Sequence, residues 1–209
     1  ESDPPPAGVT VADFAEALEA VLADAGVRRA HLVGAGLGGM VALAFAHGTT
    51  SDGSRARSLS LFCTANDGAA IDADELWGLT METDDPGRCE ASLAGALSED
   101  YRDARPDLVE QICAWRRTED ATGEAVERQA NAARSFAGVP LHEVTIPALV
   151  LAGETDPVVP PAAARALAEG LPRGRFEAVA GRHCCYVEHS RAVTDRLEAF
   201  LDEVTSEQE

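Results

Sequence analysis

The run Val33-Gly34-Ala35-Gly36-Leu37-Gly38-Gly39 supports two rival chemistries. As G-x-G-x-x-G, through Gly34, Gly36 and Gly39, it is a dinucleotide fingerprint. The glycines would let a pyrophosphate approach a helix N-terminus, where free N–H groups and the dipole favour anions. Such a site needs an acidic residue closing the next strand, about 20 residues on. Asp52 falls too early, in a loop, and Asp67 falls late. The fingerprint normally begins a fold, whereas here a complete amphipathic helix comes first. As G-x-S-x-G, with Gly34 and Gly38 flanking, the run is a nucleophile elbow. That strand-turn-helix corner holds its central side chain out over a sheet in a strained conformation. The central residue is Gly36, which has no hydroxyl, thiol or carboxylate to attack with.

The five cysteines are Cys63, Cys89, Cys113, Cys184 and Cys185. Their number is odd, two are adjacent, and there is no C-x-x-C pair. This is neither a disulfide framework nor a zinc site of familiar spacing, so reduced thiols are expected. His183-Cys184-Cys185 with nearby His189 contains metal-ligand residue types, but structural or catalytic roles outweigh that reading.

The elements that must position these residues follow from pattern. Thr10 is an N-cap with Asp13 three residues on, like a capping box. Phe14, Leu18, Val21 and Leu22 recur at helical spacing, and Gly26 ends that helix. Strands are expected at 30–34, 58–63, 148–152 and 175–179. Helices are expected at 40–46, 163–171 and 190–204. This alternation argues for a parallel sheet with helices on both faces, its strands adjacent in chain order. Residues 68–140 interrupt it. They are helical, acidic and carry both Trp77 and Trp115, and they read as an inserted helical cap. The domains are therefore a core of 1–67 and 141–209 and a cap of 68–140.

Composition excludes whole classes of function. The chain has 209 residues, enough for one well-packed domain. Against 36 acidic residues stand 17 basic ones, all arginine, for a net charge of -19. A phosphate-binding surface needs positive charge, so nucleic acid is not an expected partner. No apolar run reaches the ~18 residues of a membrane span, and no signal peptide opens the chain. A cytoplasmic protein is expected. A large carboxylate excess without lysine matches proteins adapted to molar salt, whose like charges repel in dilute buffer.

The helix and the Gly26-Val27-Arg28-Arg29-Ala30-His31-Leu32-Val33-Gly34 run resemble the nucleophile segment of the α/β-hydrolase superfamily. The stretch from Ile146 through Gly153-Glu154-Thr155-Asp156-Pro157 to Pro160 is similar to that family's strand and acid loop. Gly181-Arg182-His183 with Val187-Glu188-His189 resembles its histidine loop. The resemblance covers nearly the whole chain, most loosely in the cap, and lies nearest the small esterase and enol-lactone-hydrolase branch. It implies an α/β-hydrolase fold with Asp156 as catalytic acid, His183 as base and Gly36 at the nucleophile position. The backbone N–H of Leu37 would be an oxyanion donor that survives any side-chain change. Cys63 ends a strand near that site and is the one thiol with a claim as substitute nucleophile, though no base is placed for it. Trp77 and Trp115 are candidate pocket walls. His31 and His47 are expected to do structural work, and Glu188 and His189 to cap the last helix.

Two departures matter. Gly36 removes the attacking atom. The start, Glu1-Ser2-Asp3-Pro4-Pro5, resembles the loop after the family's fourth strand, so the first strands and one oxyanion N–H are expected to be missing. That would leave strand 30–34 as an open edge, which is an association hazard. The function implied is a carboxyl-ester or lactone hydrolase, weak or inactive as written, with a small ester, lactone or carboxylate as ligand. The non-enzyme alternative is a ligand-binding or interaction module on the same scaffold. No cofactor or metal is expected.

Overall fold

The computed structural model describes residues 3–48, 55–80, 86–119 and 123–207; Asp52 lies outside them. The first helix, α1 (Val11–Asp24), starts where the sequence places its cap. Asp13 N–H donates to Thr10 Oγ1 at 3.2 Å, and Thr10 N–H donates to Asp13 Oδ2 at 2.7 Å. The Thr10 hydroxyl, donating to Asp13 Oδ2 at 2.7 Å, and the Thr10 N–H hold the Asp13 carboxyl below its usual pKa.

Four strands follow: β1 (Ala30–Ala35), β2 (Ala56–Phe62), β3 (Ala148–Gly153) and β4 (Gly174–Val179). All pair in parallel, in the order β1-β2-β3-β4. The expected sheet is therefore present, with its ends moved by one or two residues.

Parallel strands buried on both faces read as continuous apolar runs, and β3, Ala148-Leu149-Val150-Leu151-Ala152-Gly153, is buried throughout. Alternate residues serve opposite faces. Leu59, Leu61 and Val150 pack with Leu43 and Phe45 of α2 (Leu37–Gly48) and Leu167 of α8 (Pro161–Gly170). Phe62, Leu149 and Leu151 pack with Val193, Phe200 and Val204 of α10 (Ser190–Ser206) on the other face. Among the described residues β1 is an edge strand, and its Val33 is 51% exposed.

Between β2 and β3 lie α3 (Ala73–Thr80), α4 (Pro86–Ala96), α5 (Glu99–Ala104), α6 (Pro106–Glu119) and α7 (Gly123–Arg134). Here one expectation fails. Cys89 and Cys113 form a disulfide that joins α4 to α6. The two helices pack through Cys89, Leu93, Ala96, Val109 and Cys113, which brings together two thiols 24 residues apart. Only the packing makes that pair, so no short cysteine motif announces it. Cys63, Cys184 and Cys185 are free thiols.

The charge has a testable consequence. With 36 carboxylates and 17 guanidinium groups, no arrangement of ion pairs neutralises the surface. The Debye length falls from about 10 Å at 0.1 M salt to about 3 Å at 1 M. The melting temperature should therefore rise steadily from dilute buffer to molar KCl. Sucrose strengthens burial without screening charge, and should raise it less. Equal effects of KCl and sucrose, or indifference to KCl, would sink the salt-adapted reading. Among the described residues no helix is long and apolar enough to cross a membrane.

Candidate active site

The carboxyl ends of all four strands deliver residues to one place. After β1 the chain turns sharply at Gly36, whose φ is +51°, in the left-handed region that side chains rarely adopt. A Cβ on Gly34 would lie 2.3 Å from the Gly38 carbonyl oxygen, so Gly34 is what lets α2 start so close to β1; a Cβ on Gly38 would meet nothing within 4 Å. The corner is fixed from β2. Gly36 N–H donates to Phe62 O at 2.9 Å, and buried Thr64 donates through Oγ1 to Gly36 O at 2.8 Å.

Asp156 follows β3. Its Oδ1 accepts the N–H groups of Val158 at 2.9 Å and Val159 at 3.0 Å, a turn that fixes the carboxylate plane. His183 follows β4. Its Nδ1 lies 2.9 Å from Asp156 Oδ2 and 3.1 Å from Oδ1. The carboxylate side chain is 0% exposed and the imidazole 12%. A carboxylate beside Nδ1 selects the tautomer protonated there, which leaves the Nε2 lone pair free to take a proton. That Nε2 is 3.7 Å from where a Cβ on Gly36 would stand, and nothing else lies within 4 Å of that point.

A cavity of about 150 Å³ opens beside Gly36 and His183. Leu37 and Met40 of α2 line it, with Leu76 of α3, Gln129 of α7 and Val158. The helices between β2 and β3 thus wall the space above the strand ends. Gln129 and Thr64 are polar groups of this wall that sequence reasoning missed; neither stands in a motif. Trp77 and Trp115 are not among its lining residues, and Trp115 is 55% exposed. A larger cavity of about 790 Å³ lies along α1 and α2 and touches neither Gly36 nor His183.

The loop carrying His183 is tied to α4. Cys184 N–H donates to Ala96 O at 2.8 Å, and His183 N–H to Gly95 O at 3.5 Å. Glu188 caps nothing on α10. Its buried carboxylate accepts Arg182 N–H at 2.7 Å, Ser98 N–H at 3.1 Å and the Ser98 hydroxyl. His189 holds the N-cap position of α10 without a side-chain cap bond. Removing the Glu188 carboxylate strands those donors, at roughly 1–3 kcal/mol for each buried unsatisfied group. Glu188→Ala should cost about 2–3 kcal/mol in urea unfolding. A cost below about 0.5 kcal/mol, that of an ordinary surface change, would show that this tie does not bind loop to helix.

His31 and His47 lie elsewhere, bonded to Ser58 Oγ at 2.8 Å and Glu143 Oε2 at 3.0 Å. Burial, with Arg57 and Arg29 nearby, lowers the His31 pKa. Asp67 accepts Ala69 N–H at 2.8 Å and caps a short 3-10 turn. The only described cluster with metal-ligand chemistry is Cys63, Asp156 and His183, whose donor atoms lie within 4.8 Å of one another. Cys184, Cys185 and His189 are not part of it.

The sequence profile of the alpha/beta hydrolase family matches residues 1–196. The chain belongs to the α/β-hydrolase family. Solved α/β-hydrolase-like structures agree with it in fold. A thermophilic esterase from Thermogutta terrifontis is 24% identical, with a TM-score of 0.78 over 98% of this chain and 76% of that one. The enol-lactonase from Burkholderia xenovorans is 22% identical, with a TM-score of 0.80 over 97% of this chain and 76% of that one. A search of curated protein sequences returns no match. In this α/β-hydrolase family member Gly34 answers to the turn, and no acidic residue closes β2 as the dinucleotide reading needs.

Proposed function

We propose that this chain carries the site of a carboxyl-ester or lactone hydrolase from which the attacking atom is missing. It holds a small ester, lactone or carboxylate ligand and turns it over weakly or not at all. The observation that carries this reading is the 3.7 Å between His183 Nε2 and the Cβ position of Gly36. The base faces the point from which a nucleophile would attack.

The roles follow from the geometry. Asp156 orients the imidazole and stabilises its protonated form. His183 accepts a proton at Nε2. Leu37 opens α2, so its N–H is one of the first-turn donors that a helix leaves free for a carbonyl oxygen. The ligand's apolar part sits against Leu76, Val126 and Val158 under a cap made by residues 68–140. Slow turnover is then by water held at Gly36 and deprotonated by His183. The esterase and lactonase likenesses support the substrate class, and the charge supports work at high salt.

The experiment is p-nitrophenyl acetate hydrolysis by this chain beside Gly36→Ser, both in molar KCl. Near-background turnover by the parent and a large gain in the variant support the reading. A parent rate equal to the variant's would point to another nucleophile.

A further inference from the structure

Cys63 and Cys185 have no part in the chemistry above. Cys63 follows β2, and Cys185 opens α9 (Cys185–Glu188), two residues after His183. They are 122 residues apart in sequence, yet their sulfurs lie 3.6 Å apart. Both side chains are buried. Cys63 is the one described non-glycine residue with a positive φ, 49°, a conformation that its surroundings must hold in place. Its sulfur sits within 4.8 Å of both the Asp156 carboxylate and the His183 ring.

We propose that Cys63 and Cys185 form an oxidisable dithiol whose disulfide pulls His183 out of register with Asp156. Disulfide sulfurs stand about 2.05 Å apart, so bonding draws these two together by about 1.5 Å. The Cys63 side cannot follow freely: β2 is paired on both edges, and Cys63 N–H donates to Leu151 O at 2.8 Å. The Asp156 carboxylate is pinned by Val158 and Val159. The short α9 turn gives way instead, straining its ties to Ala96 and Ser98, and His183 moves with it.

The oxidant is a hydroperoxide. Cys185, on the short α9 turn rather than at the end of a doubly paired strand, is the thiol that local opening exposes, so it attacks as the thiolate. It attacks one peroxide oxygen; the O–O bond breaks, hydroxide leaves, and Cys185 becomes a sulfenic acid. Cys63 sulfur then attacks Cys185 sulfur. The S–S bond forms, the S–O bond breaks, and the departing hydroxide takes the Cys63 proton. Two thiols lose two electrons and two protons, and hydrogen peroxide becomes two waters. Burial makes the first step slow, since it waits on local opening.

The test treats the whole folded chain with hydrogen peroxide in molar KCl, then alkylates it unfolded without reductant and digests it for mass spectrometry. The untreated chain offers three thiols, Cys63, Cys184 and Cys185, beside the Cys89–Cys113 bond. Oxidation should leave only Cys184 to alkylate and join the Cys63 and Cys185 peptides, reversibly with dithiothreitol. The His183 ring nitrogen signals should shift in nitrogen NMR of the oxidised chain and return on reduction. Cys63→Ala and Cys185→Ala should each abolish both changes. Three thiols remaining, a bond to Cys184, sulfinic acid without a cross-link, or unmoved His183 signals would each overturn the proposal. None of these readouts depends on hydrolytic activity.

Discussion

Gly36→Ser should raise p-nitrophenyl acetate hydrolysis by at least about a thousandfold over the parent chain. Removing the serine of a comparable triad costs about 2 × 10⁶ in kcat, and an untuned site should recover part of that. Space is available: a Cβ at Gly36 meets only His183 Nε2, at 3.7 Å. From there a serine oxygen comes within the roughly 2.6–3.2 Å that proton transfer needs. The obstacle is backbone strain, since φ at Gly36 is +51°. A non-glycine residue held there costs about 1–3 kcal/mol, which Gly36→Ser should show as a lower melting temperature. A burst of nitrophenolate would reveal the acyl-enzyme, and Gly36→Ala should show neither burst nor gain. A folded serine variant that hydrolyses no faster than its parent would end the hydrolase reading of the elbow.

In that serine background, Asp156→Asn should lower kcat by about 10⁴ while leaving the fold intact. The reason is the split use of the carboxylate. Oδ1 holds the N–H groups of Val158 and Val159, and an asparagine oxygen can keep both. The amide nitrogen then replaces Oδ2 beside His183 Nδ1. Two donors cannot face each other, so the ring proton moves to Nε2, where the base is needed. Circular dichroism should be unchanged and KM little affected. An asparagine variant within tenfold of its parent would mean that Asp156 does not set the tautomer.

What could be read from the sequence was whatever local rules determine. Thr10 and Asp13 are three residues apart and bond to each other. The β3 run is apolar because both its faces are covered. Asp156 and His183 stand out through the resemblance of their loops to a family's acid and histidine loops, and 2.9 Å separates them in space. The harder features depend on partners far away in the chain. Val109 and Cys113 lie four apart on the buried stripe of α6, and Trp115, two residues on, points away from it. An aromatic residue in an acidic segment gives no hint of its side of the helix. Glu188 precedes a helix and so looks like a cap, yet its acceptors are engaged by Arg182 behind it and Ser98 in the inserted segment. The Cys63–Cys185 contact joins residues 122 apart, and Cys89 meets Cys113 only because α4 packs on α6.

The bonds between α4 and the His183 loop decide which side of the site can act as a door. Helices end with carbonyls that need donors, and Gly95 and Ala96 of α4 take theirs from His183 and Cys184. Swinging α4 outward would strip those carbonyls, strand the Glu188 carboxylate and drag the base off its partner. The disulfide carries α6 along with α4. Leu76 on α3 and Val126 and Gln129 on α7 face the same cavity from the opposite wall. Any opening that leaves the acid–base pair intact therefore keeps α4 in place.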